Sequence, residues 1–144
     1  MNAQSFIDAL RAIEEHSDFS AMVSLYADDS ETLTPNDDKP HRGRSGAERF
    51  WHAYRAAFQE VRSEFHTVVE REGEAILEWT SQGRNAHGAA IKYEGVSVVE
   101  FPDGRIHRFR AYFDPAAILG NSMTPRRGFD SSSPSGRASS PSGA

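Results

Sequence analysis

Few side chains in this sequence have both the chemistry and the position to catalyse a reaction. The 144 residues include no cysteine, which excludes thiolate nucleophiles, disulfides and zinc–thiolate sites. The six histidines show neither HxH nor HExxH spacing, so we expect neither a metal site nor a cofactor. His107 is the best titratable candidate, because it lies near a hairpin on the strand face that we expect to point inward. Asp114 precedes Pro115, which is typical of a helix N-cap.

The segment 94–119, EGVSVVEFPDGRIHRFRAYFDPAAIL, predicts two strands joined by a tight turn and then a capped helix. Pairing the strands about Pro102–Gly104 places Val99 beside His107 and Ser97 beside Phe109. Strand alternation then puts one series of side chains on a single inward face, which Trp79 and Ser81 of the preceding strand join. The series contains no acid and consists of Ser97, Phe109, Ala111 and Phe113.

Two further elements offer candidates for a pocket. Thr32 and Thr34 share one face of a short strand around 30–34, where a threonine either meets a ligand or is structural. Trp51 and Tyr54 lie on the apolar stripe of the third predicted helix and form either a pocket wall or simple core. The predicted ligand-binding set is Thr32, Thr34, Trp51, Tyr54, Trp79, Ser81, Ser97, His107, Phe109, Ala111 and Phe113.

The elements that must position these residues are three helices followed by four long strands. Helical spacing predicts one helix over 4–16, a second capped by Asp18, and a third that opens at a Ser45–Glu48 capping box and ends near Gln59. From Val61 the apolar period becomes 2. The strands are predicted over about 62–70, 74–83, 90–101 and 105–113. The fold class is therefore α+β, with a curved antiparallel four-strand sheet plus the short strand, wrapped by three N-terminal helices and followed by a short C-terminal helix.

Composition bounds the organisation and the partners. We expect one folded domain over 1–122 and a disordered tail over 123–144, because Ser, Pro and Gly dominate the tail. No apolar run approaches the ~18 residues that span a bilayer, and the N-terminus does not read as a signal peptide, so no membrane partner is expected. The net charge of −5, without a basic block, argues against nucleic acid. These features predict a cytoplasmic protein.

The opposite face of the predicted sheet carries both apolar and charged side chains. Its members are Val96, Val98, Glu100, Ile106, Arg108, Arg110 and Tyr112, joined by Ile76, Glu78 and Thr80. Such a mixed face suits a second copy of the same sheet, so we expect a C2 homodimer that forms through this outer face. A solvated face with surface ion pairs of little energetic value is the alternative.

Four segments carry a resemblance to a known family: YADDS at 26–30, HRGRSGAERFW at 41–51, EWTSQG at 78–83 and GVSVVEFPDGRIHRFRAYFDPAAIL at 95–119. Together they resemble the SnoaL-like members of the nuclear transport factor 2-like superfamily, which includes ketosteroid isomerases. The resemblance implies a curved sheet that helices wrap into a cone-shaped barrel with an apolar pocket, usually as a dimer. It is specific for fold and poor for function.

The acid–base positions of the family's enzymes are vacant in this chain. The residues that the resemblance assigns to the isomerases fall on Leu10, Thr34 and Ser97, and none of these titrates near neutral pH. The aspartate of the polyketide cyclases falls on Ala111. The Arg-x-Asp pair of the limonene-type epoxide hydrolases reads Trp79 and Ser81.

Two functional hypotheses therefore remain, and the vacancies favour the first. In the first, the chain is a SnoaL-like pocket protein that binds an apolar small molecule, or a scaffold whose cavity is merely packed. In the second, it is an isomerase-, cyclase- or hydrolase-type enzyme that moves a proton on a carbonyl-bearing or polycyclic apolar substrate. That enzyme needs a nonstandard acid or base, such as His107, Tyr54 or an acid from the 35–42 loop. The size of the pocket and the presence of an ionisable group in it discriminate between the two.

Overall fold

The computed structural model describes residues 1–120 and contains three α-helices and one 3₁₀ helix in that range. The α-helices are α1 (Ala3–His16), α2 (Ser20–Ser24) and α3 (Gly43–Ala56), and the 3₁₀ helix spans Pro115–Leu119. Helix α1 opens with Asn2, whose side chain accepts a hydrogen bond from the Ser5 backbone N–H at 2.9 Å. The tail predicted over 123–144 lies outside the described residues.

The sheet has six strands rather than the predicted four plus one. They are β1 (Tyr26–Leu33), β2 (His41–Arg42), β3 (Phe58–Arg71), β4 (Glu74–Asn85), β5 (Ala90–Glu100) and β6 (Ile106–Phe113). Their spatial order is β2-β1-β6-β5-β4-β3, in which β1 runs parallel to β6 and the other neighbours are antiparallel. The α+β class is confirmed, with a curved open sheet that is mostly antiparallel. The prediction underestimated β1 because its sequence, YADDSETL, is too polar to show a strand period.

The β5–β6 hairpin has the predicted faces but a different register. Val99 pairs with Phe109, and Ser97 pairs with Ala111, so each partner lies two residues beyond the predicted one. The reason is a longer connection, in which the Gly104 N–H donates to the carbonyl oxygen of Phe101 at 3.1 Å. Because side chains alternate with a period of two, a shift of two residues leaves the side chains of β5, and those of β6 from Phe109 onward, on their predicted faces.

Two helix starts differ from the prediction. Helix α3 begins at Gly43, two residues before the predicted Ser45, and no side chain caps it, so the Ser45–Glu48 capping box is wrong. Gly43 has φ of +69°, which lets the chain turn directly from β2 into the helix. Helix α2 is only five residues long, and its N-cap is Phe19 rather than Asp18. The Asp18 carboxylate still accepts the Ser20 N–H at 3.1 Å.

The main core lies between helices α1 and α3 and one face of the sheet. Its fully enclosed members include Phe6, Ile13, Tyr26, Leu77 and Phe109. A second apolar cluster continues this core toward the far end of β3 and β4 and contains Phe58, Val61, Trp79, Ile91 and Tyr93. The two clusters share Tyr54, Phe65 and Phe113 at their border, and this border is where the cavity described below lies.

Within residues 1–120, no helix combines the length and the apolar character that crossing a membrane requires. The same range holds no group of three or more metal-ligating side chains placed to bind an ion.

Candidate functional site

A cavity of about 150 Å³ lies inside the fold, between helices α1 and α3 and the inner face of the sheet. Most of its wall is aromatic or aliphatic, and the polar exceptions are hydroxyl groups. The lining residues are Phe6, Leu10, Thr34, Phe50, Trp51, Tyr54, Ala57, Phe58, Ser63, Phe65, Trp79, Ser81, Tyr93, Ser97, Phe109, Ala111, Phe113 and Ile118.

Nine of the eleven predicted ligand-binding residues lie on this wall: Thr34, Trp51, Tyr54, Trp79, Ser81, Ser97, Phe109, Ala111 and Phe113. Strand alternation and the apolar stripe of α3 were sufficient to bring them together. Their contact with a ligand stays a prediction. The other two residues, Thr32 and His107, lie off the cavity.

Thr32 is fully buried, but it lies beside the Tyr26 hydroxyl rather than on the cavity wall. Trp51 donates its indole N–H to the same Tyr26 hydroxyl at 3.1 Å. Burial raises the pKa of Tyr26 to about 12, although the hydrogen bond from Trp51 opposes that rise. Thr32 is therefore a residue of the β1 core, and its hydroxyl has no hydrogen-bond partner within residues 1–120.

His107 does not lie on the inner face, because the alternation of side chains along β6 breaks at the start of the strand. Ile106, which strand alternation predicts on the outer face, is fully buried, and Phe109 three residues later is buried as well. The intervening His107 therefore lies at the side of the sheet, with Nε2 2.9 Å from Asp103 and Nδ1 3.4 Å from Asp29. That position removes His107 as the acid or base of the cavity.

Aromatic contacts hold the wall in place. Phe6 stacks on Phe109 with 5.4 Å between ring centroids, and Trp51 packs against both rings. The Trp79 indole N–H donates to the Ser97 hydroxyl at 2.9 Å, which fixes the ring across β5. Because each indole has a hydrogen-bond partner, neither tryptophan needs a ligand to satisfy its polar atom.

An acid outside the predicted set, Glu14, lies behind one end of the cavity. The side chain of Glu14 is buried and accepts three hydrogen bonds, from the Tyr54 hydroxyl at 2.7 Å, the Ser63 hydroxyl at 2.6 Å and the Ser63 backbone N–H at 2.9 Å. The Ser63 hydroxyl is also 2.5 Å from the Ser81 hydroxyl. We call Glu14, Tyr54, Ser63, Ser81 and Tyr93 the Glu14 cluster.

A signal for Glu14 was present in the sequence. Phe6, Leu10 and Glu14 follow one another at intervals of four, so Glu14 continues the apolar stripe of α1 with a carboxylate. A charged residue on a buried stripe needs hydrogen bonds or a counter-ion. In the described part of the chain, Glu14 forms no salt bridge, and its partners are hydroxyl and amide donors.

The environment of the Glu14 cluster keeps its two phenols protonated. Burial, followed by the nearby Glu14 carboxylate, raises the pKa of Tyr54 well above its ordinary value. Burial is also the largest cause of the raised pKa of Tyr93, and Glu14 again adds to it. Both phenols are therefore neutral hydrogen-bond donors at neutral pH.

The 35–42 loop does not send an acid into the cavity. Its best candidate, Asp37, accepts hydrogen bonds from the backbone N–H and the hydroxyl of Thr34 at 2.9 and 3.0 Å, and its other oxygen lies 3.2 Å from His41. Asp37 thus orients Thr34 on the cavity wall but is not itself part of the wall.

The C-terminal 3₁₀ helix closes one side of the cavity with Ile118. Asp114 caps this helix as predicted, by accepting the Ala116 N–H at 3.0 Å, with Pro115 at its first position. The Asn85 side chain donates to the carbonyl oxygen of Ile118 at 3.1 Å and so holds the helix against β4.

Comparisons with known proteins agree with this architecture. Among solved structures, an NTF2-like protein of unknown function from Burkholderia pseudomallei K96243 has 18% identity and a TM-score of 0.71, over 81% of this chain and 92% of that one. A candidate SnoaL-like polyketide cyclase from Jannaschia sp. CCS1 has 10% identity and a TM-score of 0.68, over 81% and 90%. TerC, co-crystallised with polyporic acid, has 15% identity and a TM-score of 0.67, over 81% and 93%. At these identities the likeness shows the fold alone.

No curated protein matches the chain. The model of the SnoaL-like domain family, in contrast, matches residues 3–109, which span α1 and every strand up to the middle of β6. The chain is thus a member of the SnoaL-like domain family.

Proposed function

We propose that the protein binds a small apolar molecule, about one aromatic ring in size, in the cavity behind α1 and α3. The observation that carries the proposal is the cavity of about 150 Å³ with aromatic walls and hydroxyl groups at one end. An apolar cavity of about this volume accepts a molecule such as benzene. The cavity is smaller than the roughly 300–1,000 Å³ of pockets for drug-sized ligands. A polycyclic molecule therefore does not fit unless the helices move away from the sheet. The TerC structure with polyporic acid supports a small-molecule role for this fold.

The alternative, a proton-transfer enzyme, is favoured by one observation, which is the buried Glu14 carboxylate. Glu14 reaches the cavity only through the hydroxyls of Tyr54, Ser63 and Ser81, which line it. Mass spectrometry of a compound that stabilises the protein separates the two functions. Unchanged compound after incubation supports binding, and conversion that is lost in Glu14→Gln supports the enzyme.

Filling the cavity is expected to abolish binding without unfolding the protein. Ala111 is a buried wall residue, and Ala111→Leu places three further carbon atoms in the cavity. A one-ring ligand such as toluene, at about 100 times its dissociation constant, should stabilise the wild type by about 2.7 kcal/mol. We expect the Ala111→Leu variant to show none of this stabilisation in a thermal melt. Ala90→Leu, the same change at an exposed position of β5, is the matched control and should respond as the wild type does. A full response in Ala111→Leu would place the ligand elsewhere.

We also propose that the outer face of the sheet forms a homodimer. Large apolar side chains are exposed there, with Ile76 at 41% and Tyr112 at 52%, beside the Glu100–Arg110 ion pair at 3.1 Å. Light scattering should give a dimer for the wild type and a monomer for Ile76→Glu, because the substitution buries an unpaired charge in the interface. Ala56→Glu adds the same charge at the exposed end of α3 and should stay dimeric. A monomeric wild type would leave the outer face as a solvated surface.

A further inference from the structure

The hydroxyl groups of the Glu14 cluster have a defined proton direction. An ionised carboxylate only accepts hydrogen bonds, whereas each hydroxyl has a single proton to donate. The Tyr54 hydroxyl donates its proton to Glu14 Oε2 at 2.7 Å, and the Ser63 hydroxyl donates its proton to the same oxygen at 2.6 Å. Neither hydroxyl has a proton left for a ligand.

The direction continues to the next hydroxyl groups. The oxygens of Ser63 and Ser81 are 2.5 Å apart, and because the Ser63 proton is on Glu14, Ser81 must donate to Ser63. The protons of Tyr54, Ser63 and Ser81 thus all point toward Glu14, and these three hydroxyls present oxygen lone pairs to the cavity.

We propose that the Glu14 cluster makes the cavity selective for ligands that carry an O–H or N–H donor, such as a phenol, over ligands of the same size that carry only an acceptor. This inference rests on the proposed binding function and deepens it by naming the chemical class. A donor placed at this end completes a hydrogen bond with the Ser81 oxygen, which lines the cavity. A carbonyl oxygen there faces other lone pairs and loses its hydration without compensation.

The wall hydroxyls outside the Glu14 cluster differ from one another, because Thr34 has donated its proton whereas Ser97 keeps one but lies far from Ser81. The Thr34 hydroxyl donates its single proton to Asp37 and has none left for a ligand. Ser97 accepts from Trp79, and it pairs with Leu77, four residues from Ser81 along β4. At about 3.3 Å per residue the two serines are roughly 13 Å apart along the strand, beyond the reach of one ring.

Three probes of similar size test the inference on the full-length protein by isothermal titration calorimetry. Phenol offers a donor, benzaldehyde only an acceptor, and toluene neither. We expect phenol to bind about tenfold more tightly than toluene or benzaldehyde, which is the effect of one net hydrogen bond.

Two variants locate the selectivity. Ser81→Ala removes an acceptor that faces the cavity, so the dissociation constants of phenol and toluene should become equal within about threefold. Ser30→Ala is the matched control, since the Ser30 hydroxyl is buried off the cavity wall and has no hydrogen-bond partner within residues 1–120. Ser30→Ala should keep the tenfold ratio.

In Glu14→Gln the new amide N–H₂ donates, which forces a hydroxyl to turn toward the cavity. The affinity of benzaldehyde should therefore rise relative to that of phenol. If Glu14→Gln does not fold, the Ser81→Ala result decides.

The outcomes separate the inference from the proposed function. If none of the three probes binds the wild type, the proposed function fails and the inference fails with it. Equal binding of all three, or tightest binding of benzaldehyde, keeps the proposed function and overturns the donor selectivity. A phenol preference that survives Ser81→Ala also overturns the inference, because another group would then carry the selectivity.

Discussion

Replacing Gly95 with alanine is expected to lower the free energy of unfolding by about 3 kcal/mol and to abolish binding in the cavity. A Cβ atom on Gly95 would lie 2.5 Å from the carbonyl oxygen of Tyr112 and 2.6 Å from a ring carbon of Trp79. The carbonyl oxygen belongs to β6, opposite Gly95 in the sheet, so it cannot retreat without disturbing the β5–β6 pairing. Trp79 must therefore turn, which breaks its bond to Ser97 and changes the cavity wall.

Urea unfolding of Gly95→Ala and Gly104→Ala measures this effect against a matched control. Gly104 has φ of +86° in the hairpin turn, and a Cβ atom there meets nothing closer than 3.8 Å. Its substitution is expected to cost only about 1 kcal/mol, from the left-handed backbone. Toluene binding should disappear in Gly95→Ala and persist in Gly104→Ala. If the two variants lose equal stability, the contact between Gly95 and Trp79 is not a tight one.

The inner face of the sheet could be predicted because strand alternation is insensitive to an even error in register. The predicted partner of Val99 was wrong by two residues, yet Ser97, Ala111 and Phe113 lie on the expected face and line the cavity. An error of one residue would have reversed every assignment. The lining of a pocket is thus more predictable than the pairing that builds it.

The parts that could not be predicted depend on contacts between distant segments. Glu14 is bonded to Ser63, 49 residues further along the chain, and nothing local distinguishes it from the exposed Glu15 beside it except its place on the apolar stripe. His107 follows the alternation of β6 in the sequence, but the burial of Ile106 breaks that alternation at the start of the strand. The pairing of β1 with β6 is likewise decided by tertiary contacts, because β1 is polar.

Raising the pH above about 10 is expected to destabilise the protein steeply, because three tyrosines have a raised pKa in the folded state. Burial is the largest cause for Tyr26, whose pKa is about 12, and for Tyr54 and Tyr93, whose pKa values lie above the ordinary value. In the unfolded chain a tyrosine ionises near pH 10. Above that pH the folded state holds more protons than the unfolded state, so stability present below pH 10 is lost as the pH rises toward the folded pKa values.

Each tyrosine contributes about 1.4 kcal/mol per pH unit in this window, and three give about 4 kcal/mol per unit. Since a domain has only about 5–15 kcal/mol of stability, we expect a large share of it to be lost by pH 11. Urea midpoints at pH 8, 10 and 11, with phenolate absorbance at 295 nm, measure the slope. Tyr93→Phe should reduce it by about a third, and Tyr112→Phe in the Ile76→Glu background, where the outer face stays in solvent, is the matched control. Ionisation of all tyrosines near pH 10 without loss of structure would contradict the burial of these phenols.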